Sequence, residues 1–296
     1  MRYQIKHTTC YEYEQKVNAC YNRAHLLPRE TLYQSVSTPT VAIDPIPSTG
    51  NRRIDYFGNR AYHFSLTEPH KSLSIEVSTT VNLNETRPNF MGELAYGATC
   101  REALENIHNT NADIETLYAR EFLLKSPMIN LMPELIEFAG DCFAPNKPFL
   151  TAVNDLNSKI FNEFEFDSGS TTIATPIRDV LQDRRGVCQD FAHLAIACMR
   201  SLGYSARYVS GYLETLPPPG EEKLEGSDAS HAWFSVFSPG EGWFEFDPTN
   251  NSTPHLQHIV TAWGRDYSDV SPLRGIVYGG GQSQALKVSV DVKRLA

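Results

Sequence analysis

The sequence predicts an α+β protein, an N-terminal β-sandwich followed by a core of helices packed on an antiparallel sheet. Three observations lead there. Residues 1 to about 85 hold short runs of β-branched and aromatic residues separated by turn formers. From about residue 111 apolar residues recur every three to four positions, which is the helical spacing. After Gly203 the pattern returns to strands joined by a turn-rich hairpin.

In chain order, residues 3–6, 8–13, 40–43, 54–56, 60–66 and 72–81 read as strands. The turn signals between them are the Pro-rich stretch 45–50, Phe57-Gly58-Asn59 and Glu68-Pro69. Residues 82–110 are polar and irregular and read as a linker, which places a domain boundary between 1–88 and 89–296. Helical stripes follow. They run through Ile114, Leu117, Tyr118 and Phe122, through Leu135, Ile136 and Phe138 after Pro133, and through Phe149, Val153, Leu156, Ile160 and Phe161 after Pro148. Thr175-Pro176 reads as a helix N-cap with proline at the first helical position. Gly279-Gly280-Gly281 reads as a loop before a final strand at 285–292.

Composition narrows the function classes. The 296 residues carry 26 Lys and Arg against 35 Asp and Glu, a formal charge of −9. A surface that neutralises many phosphates is basic, so nucleic acid is not an expected partner. No run approaches the ~20 apolar residues of a membrane span, and the first seven residues lack the apolar centre of a secretory signal. Cys10, Cys20, Cys100, Cys142, Cys188 and Cys198 are scattered without paired spacing, which suits neither a disulfide framework nor a zinc cluster. The cytoplasm, with six reduced thiols, is the expected compartment.

One segment carries chemistry. Residues 189–202 form a strong helix with a stripe at Phe191, Leu194, Ala195, Cys198 and Leu202, and Gly203 is a natural C-cap. Cys188 therefore stands at the helix start, after a Gly-Val entry. A helix start carries about half a positive charge and unpaired amide N–H groups, so it favours the thiolate, which is the nucleophilic form. Cys198 lies on the packed stripe and reads as a core residue.

A thiol nucleophile needs a base. His231 begins a strand that runs to a hairpin loop at 238–242, and Asp247 lies towards the end of the returning strand. Strands about 4.8 Å apart bring the two within reach, and a carboxylate there fixes the ring tautomer. His193, five residues beyond Cys188, falls on another helix face and reads as structural. His255 and His258 read as a surface pair, since no third ligand completes a metal set.

These residues resemble the transglutaminase-like superfamily, in its bacterial cysteine-protease-like branch with a papain-like core. The motifs are Arg185-Gly186-Val187-Cys188-Gln189-Asp190-Phe191, His231-Ala232-Trp233, and Gly242-Trp243 with Phe246-Asp247-Pro248-Thr249. The segment 265–275 and, in the first domain, Leu27-Pro28-Arg29 and Asp55-Tyr56-Phe57-Gly58-Asn59 are similar to that branch too. The resemblance implies a papain/transglutaminase-like core after the β domain. It also implies Cys188 as nucleophile, His231 as general base and acid, and Asp247 as the residue that orients it. The implied chemistry is acyl transfer from a peptide or amide through a thioester, with no metal or organic cofactor. Cross-linking transglutaminases place an oxyanion-binding Trp upstream of the cysteine; here Trp233, Trp243 and Trp263 all lie downstream. Hydrolysis is therefore expected ahead of transamidation, with a non-catalytic peptide-binding module as the remaining alternative. The acidic loop 214–228 is expected to cover the cleft.

Overall fold

The computed structural model describes residues 1–86, 94–215 and 230–295. It opens with one long strand, β1 (Arg2–Ala24), where the sequence shows two shorter runs. Tyr3, Ile5, His7 and Thr9 are buried on one face of it, the alternation of a half-covered strand. The polar stretch beyond is carried through by a register shift between Glu12 and Val17. There follow β2 (Gln34–Val36), β3 (Thr40–Asp44), β4 (Thr49–Ile54), β5 (Arg60–Leu66) and β6 (His70–Leu83). All pair antiparallel in the order β2-β6-β1-β5-β4, with β3 also on β6. Phe64 and Leu66 of β5 share one apolar cluster with Leu73, Ile75 and Val77 of β6. Two arms of one continuous sheet thus enclose an apolar layer, and the expected sandwich takes that form.

The stretch read as a linker contains a helix, α1 (Cys100–His108). Its start is a capping box: Thr99 accepts from the Glu102 N–H, and Glu102 accepts from the Thr99 N–H. The expected domain boundary at 88/89 lies outside the described residues. Next come α2 (Ile114–Ala119), α3 (Pro133–Ala139) and α4 (Phe149–Glu163), where the stripes predict helices, but Ile114, Leu117 and Tyr118 of the first stripe are exposed and α2 buries Thr116 and Ala119 instead. A two-residue strand β7 (Glu165–Phe166) precedes α5 (Ile177–Asp183). The cap of α5 is one residue later than predicted: Pro176 is the N-cap, and the Thr175 hydroxyl accepts from the Thr172 N–H.

Then β8 (Arg185–Gly186) pairs parallel with β7 and leads into α6 (Cys188–Ser201). Gly203 ends α6 at φ +90°, with Tyr204 N–H bonded to Met199 O at 2.9 Å and Gly203 N–H to Arg200 O at 3.1 Å. Both bonds belong to a Schellman ending, which needs the left-handed residue that glycine supplies. Arg200 locks the buried helix in place, donating to Ala206 O, Leu124 O and Arg265 O.

The second sheet is antiparallel, in the order β11 (Gly242–Phe246), β10 (Ser230–Ser238), β9 (Ala206–Leu213), β12 (His258–Gly264). Ala206, Tyr208, Ala232, Phe234 and Val236 share the large core with Phe191, Leu194, Ala195 and Cys198 of α6. Val209, Trp233 and Val260 form a smaller cluster with Trp263 packed against it. The first sheet docks on β12 through two side-chain amides. Gln34 donates to Val260 O at 2.7 Å and accepts from its N–H at 2.9 Å; Asn59 donates to Trp263 O at 2.8 Å and accepts from its N–H at 2.9 Å. Each amide acts as a substitute peptide group for an edge strand.

After α7 (Tyr267–Val270) the chain returns to the first sheet. β13 (Leu273–Gly279) and β14 (Gln284–Leu295) both pair with β1. Gly279, Gly280 and Gly281 all have positive φ where the chain turns between them. Among the described residues no helix is long and apolar enough to cross a membrane.

Candidate active site

Cys188 is the first residue of α6 and is half-buried. Val187 precedes it in extended conformation and has no side-chain acceptor with which to cap the helix. Asp190 supplies the cap instead: its carboxylate accepts from the Val187 N–H at 2.9 Å and from the Thr171 hydroxyl at 2.7 Å. Burial pushes the Asp190 carboxyl pKa up, although both hydrogen bonds oppose that. The sulfur and its own amide thus sit at the positive end of a buried helix.

His231 is the second residue of β10, paired with Gly211 on β9. Its Nε2 lies 2.8 Å from Asp247 Oδ2, with the imidazole 10 % exposed and the carboxylate 0 %. Cys188 lies near enough to the same ring to help raise its pKa. With Nε2 committed to Asp247, Nδ1 is the nitrogen left for sulfur. Burial by itself lowers the His231 pKa. The hydrogen bonds to Asp247 and Cys188, with their charges, outweigh it and raise the pKa to about 10.

The register of the hairpin differs from the sequence expectation. Phe234 stands opposite Phe246, so Asp247, one step further, lies across from Trp233 rather than from His231. The contact is a diagonal one, between side chains two positions apart on one sheet face. Asp247 is held by five N–H donors. Thr249 N and Asn250 N point at Oδ1, at 3.0 and 3.2 Å. The ring nitrogens of His231 and His258 and the Asn250 side-chain amide converge on Oδ2, at 2.8, 3.0 and 2.7 Å. Burial raises its carboxyl pKa, but hydrogen bonds and charges from both histidines overcome this and hold it well below the usual range. The site therefore favours the ionised form of Asp247.

His258 corrects the sequence reading. It is 5 % exposed, opens β12, and is bonded to Asp247 instead of forming a surface pair with His255. The signal was the apolar run 259–263 after it, which marks a buried strand. Asn250, which sequence reasoning passed over, lies over the His231–Asp247 contact, 3.3 Å from Nε2. Trp233 packs beside both imidazoles, with ring centroids 5.9 Å from His231 and 5.2 Å from His258, and its N–H is taken by Glu245 at 3.1 Å. His193 accepts from Tyr267 N–H at 3.1 Å inside the fold. Of the loop 214–228, residues 216–228 lie outside the described residues.

His231, Asp247 and His258 are metal-binding types, and their ligand atoms lie within 4.8 Å of one another. A zinc ion needs ~2.0–2.2 Å to each ligand and imidazole nitrogens without protons. Here both nitrogens face one carboxylate oxygen at hydrogen-bond distance, and the set fits a hydrogen-bonded cluster better than an ion site.

Residues 3–82 match the family model for the bacterial transglutaminase-like N-terminal region, and residues 136–248 match that for the transglutaminase-like superfamily. The chain is 40% identical over 296 residues to "Uncharacterized protein Rv2569c" of Mycobacterium tuberculosis, covering 98% of this chain and 92% of that one. It is 32% identical to "Uncharacterized protein ML0607" of Mycobacterium leprae, covering 100% and 99%. A 115-residue stretch is 35% identical to the "Protein-glutamine gamma-glutamyltransferase" of Pseudomonas aeruginosa, 37% of this chain and 17% of that one. Among solved structures, that of a "Putative Cysteine Protease" from Cytophaga hutchinsonii superposes with a TM-score of 0.75 at 23% identity. The match covers 100% of this chain and 92% of that one, which establishes the shared fold.

Proposed function

The chain belongs to the transglutaminase-like superfamily, and from that premise we propose that it is a thiol hydrolase that cleaves amide bonds through Cys188, His231 and Asp247. The observation that carries this reading is the row itself. A helix-start thiol stands beside an imidazole whose Nε2 rests 2.8 Å from a buried carboxylate. Such a row moves one proton back and forth at a fixed place.

The sulfur attacks the carbonyl carbon of the amide. Charge that develops on the oxygen is met by the Cys188 N–H at the helix start. His231 passes its Nδ1 proton to the departing amine, and a thioester remains on Cys188. A water then gives a proton to His231 as its oxygen attacks the thioester carbon, and the sulfur leaves with the acid released. Asp247 stays ionised throughout and keeps the ring oriented.

Transamidation is the second reading, favoured by the match to the Pseudomonas transferase. An amine then takes the place of water in the last step. One experiment addresses both. The protein is exposed to a library of peptide amides and esters, and the intact mass is read. An acyl adduct on Cys188, absent in Cys188→Ala, supports the thiol mechanism. Release by water in the presence of a primary amine supports hydrolysis; an amide product supports transfer. If no acyl donor modifies Cys188, the reading is lost.

A further inference from the structure

We infer that His258 is a positioning residue for the triad carboxylate: it donates its Nε2 hydrogen to Asp247 Oδ2, beside the hydrogen from His231, and so sets the direction and strength of the Asp247–His231 contact. The inference rests on the thiol-enzyme reading above and adds a residue that the sequence motifs do not contain.

A carboxylate oxygen offers about two lone-pair sites. Three donors crowd Asp247 Oδ2, and of these His258 is the most buried, at the head of a strand paired to β9. The edge of Trp233 fixes its ring at 82°, and its backbone N–H is bonded to His255 O at 3.3 Å. The groups that face it are Asp247, His231, Glu245 and the Trp233 ring. A positive charge on His258, itself 5 % exposed, would put two imidazoliums on one carboxylate with ring centroids 6.1 Å apart. His258 is therefore neutral, with its hydrogen on Nε2.

Two consequences follow. Turning Asp247 about its Cβ–Cγ bond breaks three hydrogen bonds on Oδ2 where two would stand without His258, so the carboxylate keeps its aim while His231 changes between proton donor and acceptor. Each donor also takes a share of the anionic charge. His258 thereby weakens the stabilisation that Asp247, through Nε2, gives the charged ring, whose Nδ1 proton must leave once in every cycle.

The test needs no substrate. In the full chain labelled with 15N-histidine, the nine imidazoles are titrated by NMR, and the alkylation of Cys188 by iodoacetamide is followed against pH. In the wild-type protein His258 is expected as the Nε2–H tautomer, neutral at pH 7. A His258 that carries hydrogen on Nδ1 alone, or is charged at pH 7, overturns the inference without any variant. His258→Phe removes the donor, and the His231 titration is expected to move up by about 0.5–1 unit. His258→Gln returns an amide N–H to the same place and is expected to recover most of that shift. An unmoved His231 titration in His258→Phe, as packing alone would give, overturns the inference too. His231→Ala separates the two levels. If it leaves Cys188 alkylation as in the wild type, the thiol–imidazole reading itself fails. If it slows alkylation at pH 6 by about tenfold or more while His258→Phe leaves His231 unmoved, only the role of His258 fails.

Discussion

Asp247 lies one strand position beyond the residue that faces Phe234, yet its Oδ2 meets His231 Nε2 at 2.8 Å. The carboxylate reaches diagonally across the hairpin, and the Asn250 and Thr249 amides brace it from behind. Asp247→Asn keeps the shape and removes the charge. Its amide must then turn either an N–H towards other N–H groups or an oxygen that no longer stabilises an imidazolium. A loss of roughly 10²–10⁴-fold in kcat/KM is expected. His231→Ala should cost more, because a base that is poorly oriented still outperforms none. Steady-state kinetics on a substrate found by acyl trapping checks the order, and the reverse order would mean that the roles are misassigned.

Cys188 should be the first thiol to react with iodoacetamide, because it is half-buried at the start of a helix beside His231. Burial raises the pKa of Cys20, Cys100, Cys142 and Cys198, that of Cys142 to about 11. Those four sulfurs are buried as well. Cys10 is half-buried, with its sulfur on the Ser74 hydroxyl at 3.5 Å. Peptide mapping after brief labelling checks the site. Cys188→Ala should abolish the fast phase and leave Tm within about 1 °C, since a half-buried sulfur contributes little packing. Uniform slow labelling of all six cysteines contradicts the site.

The helix that carries Cys188 was legible because its evidence is local: a 3.6-residue stripe between a Gly-Val entry and Gly203. The strand pair with His231 and Asp247 was legible for the same reason, since a hairpin loop fixes its two strands as neighbours. Its register was not, because loop composition does not say which residues face each other across the ladder. The helix at Cys100–His108 was missed although its buried residues Cys100, Ala103 and Ile107 recur at helical spacing, because small Cys and Ala side chains mark a stripe weakly among charged neighbours. Thr99 and Glu102, three apart, were the available sign. The return of residues 273–295 to the first strand is a backbone pairing between residues far apart in the chain, and alternation does not name its partner. His258 was misjudged for that reason too: its contact with Asp247 depends on how β12 pairs with β9.

Stability should peak near pH 6.5 and fall on both sides. Burial lowers the pKa of His7 and of His193 to about 4 each. The unfolded chain takes up these protons from about pH 6.5 downward while the fold does not, so stability is lost as pH falls from 6.5 towards 4. His231 acts in the opposite sense. Its pKa is raised to about 10, so its contribution is complete below about 6.5 and is lost as pH rises towards 10. Urea midpoints across pH 4–10 check both limbs. His7→Gln should flatten the acid limb, and His231→Gln the alkaline one. Unchanged slopes in the two variants would assign the pH dependence to other groups.

Gln34→Leu should destabilise the protein by about 2–4 kcal/mol, well beyond the usual cost of one side chain. The Gln34 amide pairs with both backbone groups of Val260 and donates to Arg29 O at 2.8 Å, all in buried surroundings. Leucine matches its size and leaves a strand N–H and C=O without partners. Urea unfolding measures the loss. A cost under 1 kcal/mol would mean that water reaches the seam and satisfies those groups.

Gly211 ties the fold to the chemistry. It pairs with His231 on one side and with Val260 on the other. A Cβ there would stand 2.1 Å from Ile259 O and 2.5 Å from the Trp233 ring. The first contact is with backbone and cannot be relieved by a rotamer change. Gly211→Ala must therefore push β12 away from β9 or drive Trp233 towards His231 and His258. Either movement alters the support of Asp247, so Cys188 reactivity should fall further than the change in Tm alone explains. Both quantities are measured at a temperature where the variant is folded, with near-UV circular dichroism to report on the tryptophan. If Tm, dichroism and alkylation rate all stay at wild-type values, the close approach is not what requires glycine at this position.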